Sequence, residues 1–411
     1  MNVKIRHFEK GQSLVVVAIL MVVFLGIMAL VLDGGYTYFM RRNAQNAADA
    51  GALAAADTWC ETENWGLAYD AGVNYAVTQN GAHTANPQQA GQRLVKVDTT
   101  ITFNTFFGSI LGQPAITTPA TATAGCYPPR IAESVIPVAW SCREPTEIEG
   151  GYPPPPEWDS NDCEFLYGNI ENPNQGQKYI IMDAIKLGPD MINACMDPTL
   201  PNDHPDNEFL VDCDLDNDGV IDVLTGGERS WLDLDGGSSD AGELRDWILI
   251  PGSATIQTHI WAMGSDGGKT TVYDAALQKE GEDVILPVFN HNCAMGAEGE
   301  TAGKLEDTQC FIDFSATEGG ADPKIGGNNP DVDGNNVDYF HVISFAVFHV
   351  ECVSNKPKKD CPIKTIAIDQ GLAEDNTFSI EGYFKRGYLP EGGGGPNNLP
   401  WLGAWTVYLI D

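Results

Sequence analysis

The sequence predicts an α+β chain in three parts: a long N-terminal membrane helix, a small α+β unit, and a β-rich, loop-rich exported domain. Three observations lead there. Residues 14–32 carry no charge and no proline, and nearly every side chain is apolar. An alanine-rich run and then alternating β-branched runs follow within the first 130 residues. Further on, short β-branched and aromatic runs recur between stretches crowded with Gly, Pro, Asp and Asn. Runs of that kind, bounded by turn residues, read as strands. The 44 glycines and 25 prolines among 411 residues supply the loops between them, and a hydrophobic content of 43% suffices for more than one core.

Where hydrocarbon surrounds it, the apolar run must be helical, because lipid offers no partner for a free backbone group. At a rise of about 1.5 Å per residue it just crosses a hydrocarbon core of roughly 30 Å. A secretory signal is the competing reading, but its apolar region is usually only about 7–15 residues and ends in small-residue cleavage chemistry. This run passes instead into Asp33, Gly34, Gly35 and Tyr36 and then another helix-forming segment, as expected of an anchor that stays. Lys4, Arg6 and Lys10 precede the span against Glu9 alone, and Arg41 and Arg42 follow it. The positive-inside bias, weakened by that arginine pair, places the N-terminus in the cytoplasm. The remainder is strongly acidic and holds all ten cysteines, which fits delivery outside the cytoplasm. The expected layout is a leader at 1–13, one transmembrane helix at 14–32, a helical extension with the small α+β unit at 33–130, and the exported domain at 131–411.

Residues 41–57 read as helix. Ala44, Ala47, Ala48, Ala50, Gly51, Ala52, Ala54, Ala55 and Ala56 surround a few polar residues, and alanine has the best helix propensity. If Gly34 and Gly35 only bend the rod, one helix runs from the membrane well into the exterior. Its small side chains let another backbone approach closely. That partner is either a second chain or the rest of the same domain, and the sequence leaves both open.

The succession of Gly11-Gln12, an apolar span, Leu32-Asp33-Gly34-Gly35, Arg41-Arg42, Gln45-Asn46-Ala47-Ala48-Asp49-Ala50 and Ala52-Leu53-Ala54 resembles the N-terminal segment of TadE/TadG-type Flp pilus-assembly proteins. The resemblance covers roughly the first sixty residues and is looser beyond them, over Val95 to Phe107 and Gly112 to Ala124. It implies a membrane-anchored, pseudopilin-like component of a tight-adherence pilus or secretion machine. The partners it implies are the bilayer, other pilus-assembly components and further copies of the chain. One departure stands out: prepilin peptidase substrates usually carry Glu at the fifth residue after the cleaved Gly, and after Gly11 that position is Val16. Processing at Gly11 is therefore not expected.

Residues 64–81 place Trp65, Ala68, Tyr69, Val73 and Ala76 at helical spacing and stop at Asn80-Gly81, a helix with a glycine terminator. Residues 94–106 alternate as a strand, and the Thr/Ala-rich 115–125 is a second one. Cys60 and Cys126 bracket this unit, which leaves a bond between them open, and spacing alone does not fix the connectivity. No CxxC pair occurs among the cysteines, which argues against structural zinc and for disulfides in an exported chain. The short loops make Cys352–Cys361 and Cys293–Cys310 the first pairs to test.

In the larger part, residues 134–140 and 179–187 read as buried strands. Between them Pro153, Pro154, Pro155 and Pro156 form stiff polyproline that cannot lie in a sheet interior. Residues 284–290, 339–350, 363–368, 378–384 and 405–410 read as strands of a common core, and 243–250 as a short helix with Leu244, Trp247 and Ile248 on one face. His341 and His349, eight apart, share a face if their strand is regular. Lacking a third ligand nearby, they read as ordinary partly buried histidines and not as a metal pair.

The best site candidate is the loop Asp214-Leu215-Asp216-Asn217-Asp218-Gly219-Val220-Ile221-Asp222. Calcium loops need oxygen ligands at alternate positions, a glycine at the sixth and another ligand at the ninth. Asp214, Asp216, Asp218, Gly219 and Asp222 meet those demands and resemble the calcium loops of dockerins and thrombospondin type 3 repeats. The twelfth position is Thr225, so Glu228 or a residue from elsewhere must supply the last carboxylate. The alternative is an acidic turn. Asp233 and Asp235 could share the cation but read first as turn residues, and the sites at Asp266 and at Asp331-Val332-Asp333-Gly334 read as turns outright.

A net charge of −34 repels phosphate backbones and sets nucleic acid aside as a partner. There is no G-x-S-x-G elbow, H-E-x-x-H, P-loop, or G-x-G-x-x-G after a strand. Asp313-Phe314-Ser315-Ala316-Thr317 is similar to a metal-ion-dependent adhesion site, but Gly- and Asp-rich loop follows it where that fold needs long helices. The reading that results is a non-enzymatic membrane-anchored assembly component. A calcium-stabilised surface adhesin on the same anchor stands second, and an exported hydrolase third.

Overall fold

The structure, a computed structural model, describes residues 12–91, 93–141, 178–183, 222–223, 231–234, 240–253, 255–265, 270–295, 324–325, 337–355, 361–369, 378–389, 392, 399 and 401–410. The described residues are of the α+β class, with a long apolar helix first and mixed sheets and helices after it. They fall into two compact units. The first holds residues up to Cys126 together with Val407–Asp411, and the second runs from Tyr127 to Thr406.

The first unit begins with α1 (Gln12–Met28), passes through one π-helical turn at Ala29–Asp33, and continues as α2 (Gly34–Thr62). Gly34 keeps a right-handed φ of −66°, and a Cβ at Gly34 or Gly35 would meet nothing within 4 Å. The glycine pair therefore neither breaks nor packs the rod, which runs unbroken over 50 residues from Ser13 to Thr62, about 75 Å at helical rise. It ends where Glu63 turns left-handed (φ 51°) and its N–H donates to Trp59 O at 2.8 Å. Asn64 then caps α3 (Trp65–Val73), its Oδ1 accepting the N–H of Gly66 and Leu67 at 2.9 and 3.3 Å. A π-helical stretch, Asn74–Gln79, completes that helix before Gly81 at φ 73°.

The alanine stripe packs on its own domain. Ala44, Ala47, Ala48, Ala52, Ala55 and Ala56 are wholly buried, as are Val95 and Val97 of the strand β2 (Leu94–Asn104) that runs beside α2. Alternate residues of β2 turn inward in the manner of a half-buried strand. Thr99, buried among them, donates from Oγ1 to Ala44 O at 2.9 Å. Helices α2 and α3 meet at Gly51 and Gly72. A Cβ on Gly72 would lie 2.9 Å from Pro87 Cγ and 3.0 Å from Ala55 Cβ, so only hydrogen fits there. Strand β3 (Ala115–Tyr127) pairs antiparallel with β2 over its whole length, and Cys126 is joined to Cys60 at the far end of the rod.

One strand lies where no strand was expected. β1 (Thr84–Gly91) contains Pro87 and little β-branched sequence, yet it pairs antiparallel with β2. It sits at the sheet edge, where a missing N–H costs no ladder bond. Cross-strand polar contacts hold it: Thr84 Oγ1 with Thr100 Oγ1 at 2.6 Å, and Gln88 Nε2 donating to Asp98 Oδ2 at 2.9 Å.

The second unit is built on β13 (Val337–Ser354), flanked by antiparallel β11 (Asp283–Met295), β10 (Ile260–Ser265) and β14 (Ser379–Lys385). Phe340, Val342, Phe345, Ala346, Phe348 and Val350 of β13 are fully buried, so both faces of this strand are covered. β14 continues the sheet to β6 (Lys178–Asp183), and β6 to the short parallel β7 (Asp222–Val223). Helix α4 (Ala241–Leu249), capped by Asp240, buries Leu244, Trp247 and Ile248 as expected. α5 (Thr270–Ala276) follows it in the chain.

Three expectations are corrected here. Residues 134–140 do not form one strand: Val135 and Val138 make isolated bridges to Ile285 and Trp231, and only Trp140–Ser141 is ladder. Pro137 lies between them without an N–H, and Val138 N–H turns back to Ile136 O at 2.8 Å. Residues 363–368 are helix, within α6 (Pro362–Asp369). Proline suits a first helical position, and the buried Glu381 carboxylate accepts the N–H of Ile363 and Lys364, both at 2.9 Å. Asp233 is not in a turn but in β8 (Trp231–Asp233), opposite Met263 and fully buried.

Cys352–Cys361 pair as expected. Cys293 is also disulfide-bonded, but Cys310 lies outside the described residues. So do residues 143–176, the turns at Asp266 and Asp331–Gly334, and the segment at 313–317.

Candidate functional site: the anchor and its clasp

From Leu14 to Leu32 the large apolar side chains of the rod are exposed, Leu14 and Leu30 by 76%. A side chain of that kind left in water forgoes about 1.5–3 kcal/mol of burial, and here the whole circumference does so. The helix is long and apolar enough to cross a membrane, and no other helix among the described residues is.

The first charge after this run, Asp33, is turned into the protein. Its Oδ1 accepts the N–H of Phe106 at 2.7 Å, and its Oδ2 accepts those of Phe107 and Gly108 at 3.0 and 2.6 Å. All three donors belong to the turn between β2 and β3, which includes a short 3-10 stretch at Gly108–Leu111. A carboxylate with several backbone donors is a charge-assisted clasp. One helical turn on, Thr37 Oγ1 donates to Asp33 O at 2.6 Å. Tyr36 packs edge-on against Phe103 and Phe106, with centroids 4.9 and 5.5 Å apart. The exit of the apolar run is thus fastened to the sheet by a carboxylate and an aromatic cluster. Residue-by-residue reading singles out Asp33 only as the end of the apolar run. The signal for its role is that position, and its partners lie some seventy residues downstream, 73 to 75 by count.

The calcium candidate is not brought together by what is described. Asp214, Asp216, Asp218 and Glu228 lie outside the described residues, and Asp222 is placed only by its backbone in β7, opposite Lys178. No group of three or more His, Cys, Asp or Glu placed to hold a metal occurs among the described residues. His341 and His349 are not a pair: His341 Nδ1 meets Asn290 Oδ1 and His349 Nδ1 meets Asp283 Oδ1, each at 2.7 Å. Eight residues of strand separate them by about 26 Å. The strand is irregular between them, since the pairing with β11 skips Ile343.

Two carboxyls of the second unit are perturbed. Burial pushes Glu381 up to about 6, against the pull of Ser379 and the N–H groups of Lys364 and Ile363, with the charge of Glu351 adding to the rise. At Asp283 burial works upward too, but the bonds from Lys385 and His349 outweigh it and hold the carboxyl below its ordinary value.

No curated protein and no solved structure matches the chain in comparison. One family model does match, and it falls on the rod: residues 11–58 fit the family described as putative Flp pilus-assembly TadE/G-like, so the chain carries a Tad segment and with it an association with Flp pilus assembly.

Proposed function

We propose that this chain is a non-enzymatic, pseudopilin-like component of Flp pilus assembly or of a related secretion machine. Residues 14–32 cross the cytoplasmic membrane once, the N-terminus lies in the cytoplasm, and the acidic bulk stands outside. The observation that carries this reading is an overlap. The matched residues 11–58 fall almost wholly on the unbroken helix Ser13–Thr62 and take in the alanine stripe, Ala44 to Ala56, that fixes it to a sheet. A matched segment that is both anchor and structural spine suits a part that is held in a membrane and handled by neighbours.

The partners are the bilayer, other pilus-assembly components and further copies of the chain. Isolation of the intact membrane form in mild detergent, followed by identification of co-purifying proteins, tests this. Pilus-assembly components are expected in the isolate, and loss of pili is expected when the chain is deleted. Intact pili in the deletion strain, with no such component in the isolate, would refute the role. As a second element, the loop at Asp214, Asp216, Asp218, Asp222 and Glu228 takes a structural calcium ion.

A further inference from the structure

We propose that the turn between β2 and β3, residues 106–111, is a second membrane contact, seated in the interfacial layer of the same bilayer that the helix crosses. The proposal rests on the reading of the rod as a membrane anchor and adds a surface to it.

β2 runs alongside α2 with opposite polarity: Thr99 bonds Ala44, Phe103 packs on Tyr36, and Phe106 reaches Asp33. Each step toward the end of β2 is therefore a step down the rod toward its apolar run. The turn begins level with Asp33, one residue from Leu32 where that run ends, and Gly108 still bonds Asp33. Whatever plane marks the exit of the helix from hydrocarbon passes at or beside this turn.

Chemistry agrees with position. Phe106 is 61% exposed and Ile110 is 73% exposed, although the neighbouring sheet residues Ile101 and Phe103 are buried. Next to them on the rod, Tyr38 and Phe39 are 72% and 53% exposed. Arg41 and Arg42, exposed as well, follow within a turn. Aromatic side chains at the boundary, with cations just beyond, are what the headgroup layer selects. The turn itself, Phe106 to Gln113, carries no charged residue in a chain of net charge −34, so nothing in it repels the lipid.

A bilayer is a better occupant than a protein partner because the patch is continuous with the exposed apolar surface of the span. Asp33, which would be costly to leave bare at that depth, instead has its charge met by the backbone of the turn. The clasp thus does two things at once, satisfying the first polar group above the hydrocarbon and drawing the turn to the same level.

The test uses the full chain in vesicles of phosphatidylethanolamine and phosphatidylglycerol, with a fluorophore on a single introduced cysteine under non-reducing conditions. The labelled variants are Ile110→Cys, Val22→Cys in the span, Leu32→Cys at its end, and Gln89→Cys. Gln89 pairs with Val95, which places it about 30 Å up the sheet from Asn104. Lipids carrying a nitroxide near the headgroup should quench the label at 110 to the same extent as that at 32, and leave that at 89 unquenched. Nitroxide near the chain ends should quench the label at 22. Quenching at 22 and 32 without quenching at 110 overturns the second contact and leaves the anchor standing. Quenching at none of the four sites overturns the anchor, and the second contact with it.

Discussion

Joining Cys60 to Cys126 closes a loop of 66 residues, whereas joining Cys352 to Cys361 closes one of 9. If a cystine stabilises mainly by restricting the unfolded chain, the two should differ in a calculable way. The loop-entropy relation gives roughly 4.4 kcal/mol for the first and roughly 2.6 kcal/mol for the second, a difference of about 1.8 kcal/mol. The perturbation is Cys60→Ala with Cys126→Ala in one variant, and Cys352→Ala with Cys361→Ala in another. Alanine suits Cys60 and Cys126, which are 4% and 3% exposed, because no new hydroxyl is buried. Native-state hydrogen exchange resolves the two units, with the amides of β2 reporting the first and those of β14 the second. The slowest amides of β2 should lose more protection in the first variant than those of β14 lose in the second, by about twentyfold in opening constant at 1.8 kcal/mol. Equal losses, or a larger one at the short loop, would refute the reasoning and mean that contacts in the folded state set the worth of each bond.

Three further outcomes are expected. Glu381 keeps its proton in the folded chain up to about pH 6, against 4.5 as its ordinary value, so between those values the folded state binds more protons and stability falls as pH rises. The loss, roughly 2 kcal/mol at about 1.4 kcal/mol per unit, should vanish in Glu381→Gln; denaturant unfolding of both forms from pH 4 to 7 measures it, and parallel pH curves would sink the assignment. Gly72→Val forces a side chain into the space held by Pro87 and Ala55 and should cost roughly 1–3 kcal/mol, read as lost exchange protection in α3; unchanged protection would mean that the crossing is loose. Calcium should raise the Tm of the unaltered chain and not that of the chain carrying Asp216→Ala with Asp218→Ala, and an equal rise in both would remove the site.

What could be read in the sequence was whatever depends on neighbours along the chain. The uncharged run to Leu32 forces a helix, the alternation of residues 94–106 a strand, and the spacing of Leu244, Trp247 and Ile248 a short helix. What could not be read depends on partners far away. β1 is a strand because β2 offers it an edge, and its own Thr-Ala-Asn-Pro-Gln-Gln-Ala-Gly would not predict one. Residues 363–368 look like a strand by composition, and the helix there is set by a proline, a cystine and a carboxylate eighteen residues on. Whether the alanine stripe faced a second chain or its own domain was open for the same reason: small side chains permit both, and only the position of β2 decides. The clasp at Asp33 is the extreme case, a role invisible until the turn that donates to it is in place.

Those fastenings bear on how the proposed role would work. Within the first unit the rod is tied to the sheet at Asp33, at Ala44 through Thr99, and at Cys60 through Cys126. The ties span about 40 Å of helix. From Ala44 to Ala56 the buried residues of the helix are all Ala or Gly, which lack the long flexible side chains that let one element slide on another. A slip of one residue, about 1.5 Å along the axis, would break bonds of 2.6 to 3.0 Å at Asp33 while the cystine still held the far end. The rod and its sheet therefore move as one body, and any displacement of the span is delivered to the sheet without slack. The same rigidity constrains the membrane contact. Because the turn is held by Asp33, the helix cannot be drawn out of the bilayer while residues 106–111 remain in it. Extraction would thus have to release both surfaces together, so a chain carrying Phe106→Asp and Ile110→Asp should leave the membrane under milder detergent than the unaltered one.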